Sequence, residues 1–278
     1  MGPGRAGGFH AWGSRQAGSR GSPQDLAGRA SAVQGAIARA LCYGSSRFSE
    51  DLDFAGGRDF SRARVDGIRA SLEGYIGQRY GLEVSVREPN ELVDDPGYRG
   101  LHVDTWQLSV TTAPTRPDIP RQRIKLEVAN VAAYSRVPRS LYVNYDFLPD
   151  GYGDTLVLTE TRDEIMADKL VSLVNTQRYV RHRDIWDLRW LKQQGVAVNP
   201  EWVANKVNDY RIDDYGAKLG EMRGRLPEII HSAGFANEMG RFLPGDVQQR
   251  TLEKPKFLDF LVLEIDGLLA EVRKALGE

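Results

Sequence analysis

Apolar and polar positions change register several times along the chain, and each change predicts an element. From Phe48 to Phe54, apolar Phe48, Leu52 and Phe54 are set among polar and acidic residues and Gly56-Gly57 follows, which reads as a strand and a turn. Over 60–79, Val65, Ile68, Leu72 and Ile76 recur at spacings of three and four, predicting an amphipathic helix ended by Gly81. Leu82 to Val86, His102 to Val110, Ile124 to Val128 and Leu156 to Leu158 read as further strands. Thr161-Arg162-Asp163-Glu164 has the form of a capping box and opens a helix of roughly four turns. Helices then follow at 182–193, 199–209, 214–224, 226–234 and 256–275.

Strands crowd the first half and helices the second, so the expected fold class is α+β. A mixed-sheet core domain is expected over 32–160 and a helical domain over 161–278. Residues 1–31 fit neither. They are rich in Gly, Ala, Arg and Ser, hold Asp25 as their one acid, and place Phe9, Trp12 and Leu26 too sparsely for a periodic face. A disordered leader is expected there, translated from upstream of the real start or through a frame error.

Composition narrows the function. Lys plus Arg is 37 against 38 acids, a net charge of −1, which excludes a histone-like polycation but leaves room for a local basic patch. The longest apolar run, Phe257 to Ala270, is broken by Asp259, Glu264 and Asp266, so no membrane partner is expected. A single cysteine, Cys42, excludes an internal disulfide and a Cys-clustered zinc site, and reads as a small buried hydrophobe. Four scattered histidines make no His-x-x-x-His pair. Any metal must therefore sit on carboxylates.

Those carboxylates are concentrated in Ser49-Glu50-Asp51-Leu52-Asp53. Strand alternation puts Ser49, Asp51 and Asp53 on one face, the two acids roughly 7 Å apart. Such a pair can bracket Mg²⁺, which takes a few carboxylates plus substrate phosphates; a solvated acidic face is the simpler alternative. Arg123, Lys125 and Glu127 alternate with Ile124, Leu126 and Val128, so Glu127 lies on a polar strand face and would add a third carboxylate if its strand adjoins the first.

Two charges sit where apolar residues are expected. Lys169 falls inside the arc of Ile165, Met166, Leu170 and Leu173, and Asp184 heads the stripe of Leu188 and Leu191. A snorkelling amine and a helix-dipole carboxylate would each explain one of them. Together, opposite in sign and both within buried faces, they suggest one shared cleft. Arg178, Arg181, His182 and Arg183, interleaved with Tyr179, form a basic and aromatic patch beside Asp184 suited to RNA.

The blocks Tyr43-Gly44-Ser45-Ser46-Arg47-Phe48-Ser49-Glu50-Asp51-Leu52-Asp53-Phe54, Glu164-Ile165-Met166-Ala167-Asp168-Lys169-Leu170 and Arg183-Asp184-Ile185-Trp186-Asp187-Leu188 together resemble the AbiEii/AbiGii toxin family of nucleotidyltransferases. That family is similar to the MenT-type toxins and belongs to the DNA polymerase β-like superfamily. The resemblance implies a nucleotidyltransferase-type core and a helical domain that completes the active site. It implies that Asp51, Asp53 and Glu127 bind Mg²⁺ or Mn²⁺, with Lys169 and Asp184 as the other catalytic residues. Gly44, Ser45, Arg47, Ser49 and Arg183 are the implied nucleotide-binding positions. The implied substrate is a nucleoside triphosphate, the acceptor RNA such as a tRNA 3′ end, the setting cytoplasmic, with an antitoxin encoded nearby. One element departs from the family: its Gly-Gly-Thr, about a dozen residues before the acids, reads Gln34-Gly35-Ala36-Ile37 here. A catalytically impaired nucleotide- or RNA-binding relative and a metal-dependent nuclease are therefore the rival readings.

Overall fold

The computed structural model describes residues 32–33, 41–45, 47–49, 51–89, 102–143, 146, 148, 150–176 and 179–277. The expected leader, the Gln34 to Ile37 element and Arg178 lie outside these residues. Seven strands form one mixed sheet: β1 Ala32–Val33, β2 Asp51–Ala55, β3 Glu83–Arg87, β4 Val103–Thr111, β5 Gln122–Ala129, β6 Val137–Ser140 and β7 Leu156–Thr159, in the order β3-β4-β5-β2-β1-β7-β6. The fold class is α+β, as the distribution of strand and helix patterns indicated.

Strand alternation decides the two faces of the sheet. In β4, Asp104, Trp106, Leu108 and Val110 are buried while the residues between them are not. With Leu126 and Val128 of β5 and Val86 of β3, these apolar side chains make one face, covered by Val65 and by Ile68 and Leu72 of α1 (Ile68–Tyr80). Asp104 tolerates this face because Arg62 reaches it at 2.8 Å. The opposite face carries the polar residues of the same strands. β2 and β5 run parallel, with Asp51 opposite Lys125 and Asp53 opposite Glu127.

Helices α2 (Arg162–Val174), α3 (His182–Gln193), α4 (Pro200–Asp209), α5 (Tyr215–Ile230), α6 (Ala233–Phe242), α7 (Gly245–Arg250) and α8 (Pro255–Ala275) follow the sheet. Their apolar stripes join the sheet in one buried cluster, running from Trp106 and Leu126 through Leu170, Leu188 and Leu226 to Leu269. Thr161 caps α2 by accepting from the Glu164 N–H, as the capping pattern predicts. The reciprocal half of the box is absent, because the Thr161 N–H donates to Ser135 Oγ and the Glu164 carboxylate is engaged elsewhere.

Several elements differ from the pattern-based expectation, among them α7, which was not expected. The expected helices 214–224 and 226–234 are replaced by α5, which runs through Pro227, and by α6, capped by Ser232. Pro227 lacks one N–H near the end of α5, and burial of Leu226, Ile229 and Ile230 around it outweighs that loss. Strand β6 was hidden by Pro138, which cannot donate in a ladder; β6 is an edge strand, where that defect is tolerated. Two-residue β1 is too short to show a period.

Candidate active site

At β2 the polar sheet face meets the N-terminal end of α3 and Lys169 of α2. Register places Asp53 and Glu127 side by side, and Thr105 of β4 continues the row, its Oγ1 donating to Glu127 Oε1 at 3.4 Å. Asp51 lies two residues along on the same face. Burial pushes the Asp53 carboxyl above its ordinary range, and the neighbouring Asp51 charge adds to this while Lys169, Arg181 and Arg183 oppose it. Glu127 is raised in the same direction by burial and by Asp53. These are the signs of like charges held together and partly desolvated. All the donors are carboxylate oxygens, the ligand chemistry that suits Mg²⁺ and Mn²⁺, so the residues present fit such an ion.

Opposite them, the half-buried Lys169 of α2 and the buried Asp184 of α3 form an ion pair of 2.6 Å. The shared cleft suggested by two misplaced charges is thus a direct contact. Ser172 Oγ donates to the other oxygen of Asp184 at 2.5 Å. Burial works against the Asp184 anion, but Lys169, Arg181 and Ser172 outweigh it and hold the carboxyl below its ordinary value. Arg183, on the preceding position of α3, lies 4.0 Å from Asp51 and 3.6 Å from Glu238, with its guanidinium 4.9 Å from the centre of the Phe242 ring.

Arg47, expected to touch the nucleotide, has partners within the chain. It is 3% exposed, and its Nε and Nη2 donate to the two oxygens of Asp187 at 2.9 and 3.2 Å, while Nη1 donates to the Phe48 carbonyl. Asp187 is also 3.7 Å from Lys169. Arg47 therefore ties the segment before β2 to α3. Gly44 has φ +70°, the left-handed region, and a Cβ there would meet the Tyr142 ring at 3.5 Å. Ser45 Oγ is buried with no hydrogen-bond partner among the described residues. Ser49 Oγ donates to the Asp51 carbonyl at 3.4 Å and so fixes the entry to β2.

The basic and aromatic patch divides. Tyr179 is widely exposed, but His182 pairs with Glu238 at 2.8 Å and Arg183 with Glu238 and Asp51, so part of its charge is already balanced. Burial pushes the Cys42 thiol up to about 11, consistent with an inert side chain.

A second acidic cluster escaped the sequence reading. Carboxylate oxygens of Glu160, Glu164 and Asp168 lie within 4.8 Å of one another. Lys206 of α4 sits among them, wholly buried, at 3.3, 2.8 and 3.1 Å. The ammonium occupies the place a cation would take, so this cluster is a structural tie between α2 and α4. Glu164 also accepts from the backbone N–H groups of Tyr134 and Ser135. Its signal was the i, i+4 pairing of Glu164 and Asp168 on an apolar helix; the partner, 38 residues beyond Asp168, gave none. Ser172 and Glu238 were likewise missed.

The sequence profile of the nucleotidyl transferase AbiEii toxin, type IV TA system, matches residues 22–269. The chain belongs to the AbiEii family. No curated protein sequence matches it. Among solved structures, JHP933 from Helicobacter pylori aligns with 17% identity and a TM-score of 0.48, covering 91% of this chain and 88% of its own. MenT4, a nucleotidyltransferase toxin from Mycobacterium tuberculosis H37Rv, aligns with 16% identity and a TM-score of 0.47, covering 88% and 73%. As an AbiEii toxin the chain is a nucleotidyltransferase-family protein of a toxin–antitoxin type.

Proposed function

We propose that this AbiEii protein transfers a nucleoside monophosphate from a nucleoside triphosphate to an acceptor hydroxyl on RNA, such as a tRNA 3′ end. The observation that carries the reading is the meeting of three carboxylates on β2 and β5 with cations from α3 and α2: Arg183 lies 4.0 Å from Asp51, and Lys169 acts electrostatically on Asp53. The acceptor oxygen forms a bond to the α-phosphorus as the bond to pyrophosphate breaks. Asp51, Asp53 and Glu127 would hold Mg²⁺ or Mn²⁺, which when bound polarises phosphate oxygens and eases loss of the acceptor proton. Lys169, held by Asp184 and Ser172, offsets charge that develops on the phosphates. Arg183, seated on Phe242, supplies a second cation from the helix end. Gly44, in the left-handed region, sets the turn before Ser45, whose unsatisfied hydroxyl suits a phosphate oxygen. Arg47 positions Asp187 and hence Lys169.

An antitoxin encoded nearby and a cytoplasmic setting belong to the same proposal. No helix among the described residues is long and apolar enough to cross a membrane. The test is incubation of the full chain with Mg²⁺, α-labelled triphosphates and total RNA. Label on RNA supports transfer. Shortened RNA would favour a nuclease, and unlabelled intact RNA an impaired relative.

A further inference from the structure

Three cations of the polar sheet face that make no ion pair or side-chain hydrogen bond among the described residues form an L, with Arg87 and Lys125 along one row and Arg123 beside Lys125. Register aligns Asp51, Lys125, Gln107 and Arg87 in one row across β2, β5, β4 and β3, and Arg123 and Ser109 in the next row. Residues opposite one another share a face, so Arg87, Lys125 and Arg123 lie on the same side as Asp51. All three are exposed. None has an ion pair or side-chain hydrogen bond among the described residues, in contrast to Arg121, which pairs with Glu83 at 3.1 Å at the end of the same face. Lys125 and Arg123 are about 7 Å apart along β5, and Lys125 and Arg87 about 10 Å apart across two strand spacings. Between them Thr105, Gln107 and Ser109 offer hydrogen-bonding side chains, and these polar positions hold no aromatic ring.

We propose that Arg87, Lys125 and Arg123 form a lane that holds the phosphodiester backbone of a single nucleic-acid strand and leads its end to the carboxylates of β2 and β5. The inference rests on the nucleotidyl-transfer reading for its direction, and on the register of the sheet for its residues. The carboxylates alone would repel a polyanion; Lys125, which acts on the Glu127 charge, and Arg87 and Arg123 beside it offset that. The contacts of His182 and Arg183 with Glu238 leave that helix end less able to do so. With no ring to stack on, the lane grips phosphates rather than bases, so it should be indifferent to sequence.

The test measures binding of the full chain to a labelled single-stranded RNA of mixed sequence between about 50 and 200 mM salt. A single-stranded DNA of the same sequence is the second arm. Removing three phosphate contacts from a single strand lowers the salt slope by about 2. R87Q/R123Q/K125Q is therefore expected to show that drop and at least about tenfold weaker binding at low salt. The double reversal R87E/R123E, which leaves Lys125 beside Asp51, should weaken both arms and keep triphosphate binding. Similar losses on RNA and DNA support a backbone lane. Unchanged affinity and slope in both variants, or no RNA binding by the unaltered chain, would overturn it. If the lane variants lose RNA yet the unaltered chain labels no RNA in the transfer assay, the lane stands and the transfer reading falls.

Discussion

Lys169 Nζ lies 2.6 Å from Asp184 Oδ1, so two consecutive helices are joined by an ion pair where their apolar faces meet. Each partner satisfies the other in a place where either alone would be costly. The pair also puts an ammonium within the field of Asp53, and the two roles make separate predictions.

Sequence pattern alone suggests that Lys169→Met preserves packing at little cost. The ion pair alters that expectation, because a thioether side chain in place of the ammonium would leave Asp184 buried with Ser172 as its close neutral partner. Lys169→Met should lower stability by roughly 3 kcal/mol, read by urea denaturation. The double variant K169M/D184L should recover much of the loss while remaining without transfer activity. Recovery of activity in the double variant would show that the ammonium acts only in packing.

Asp51→Ala and Asp53→Ala should each reduce transfer by at least about 100-fold while keeping the fold, as judged by circular dichroism. Both carboxylates lie on the polar sheet face rather than in the apolar core. Without divalent ions, either change should leave the melting temperature equal or higher, since like-charge repulsion is relieved. Full activity in either variant contradicts the assignment of the site.

Stability should respond to pH in opposite senses in two windows. Asp53 and Glu127 have folded-state values raised above the unfolded ones, so they bind protons more readily when folded. Without metal, their contribution makes stability fall as pH rises through those raised values. Asp184 and Glu164 are lowered, so the stability they supply is present above the ordinary carboxylate range, about pH 4, and is lost as pH falls through their folded values. D53N/E127Q should flatten the upper window of a melting-temperature profile and leave the lower one unchanged.

Lys206→Met should be among the most damaging single changes in the chain. It leaves Glu160, Glu164 and Asp168 in one buried site with no ammonium among them, a loss of about 3–5 kcal/mol. Adding Glu164→Gln should recover part of that loss, measured by thermal unfolding.

Much of the geometry of the candidate site was legible because it is written in short periods. Alternation put Asp51, Asp53 and Glu127 on polar faces, and helical spacing exposed Lys169 and Asp184 as charges among apolar neighbours. The adjacency of β2 and β5 was not legible, since pairing of distant strands leaves no local trace. The same limit hid Lys206, whose partners lie on another helix and strand end. The partner of Arg47 was hidden for the same reason, since Asp187 lies 140 residues away.

That separation has a kinetic meaning. A chain made at about 5–20 residues per second takes on the order of ten seconds to pass from Arg47 to Asp187. During that time β2 exists without the helix that Arg47 grips, and Lys169 and Asp184 have not both been made. Loop closure over such a span is slow and unfavourable until the helices pack. A chain still short of Asp187 therefore lacks both the Arg47 tie and the Lys169–Asp184 pair, and the two form only once the helices are complete.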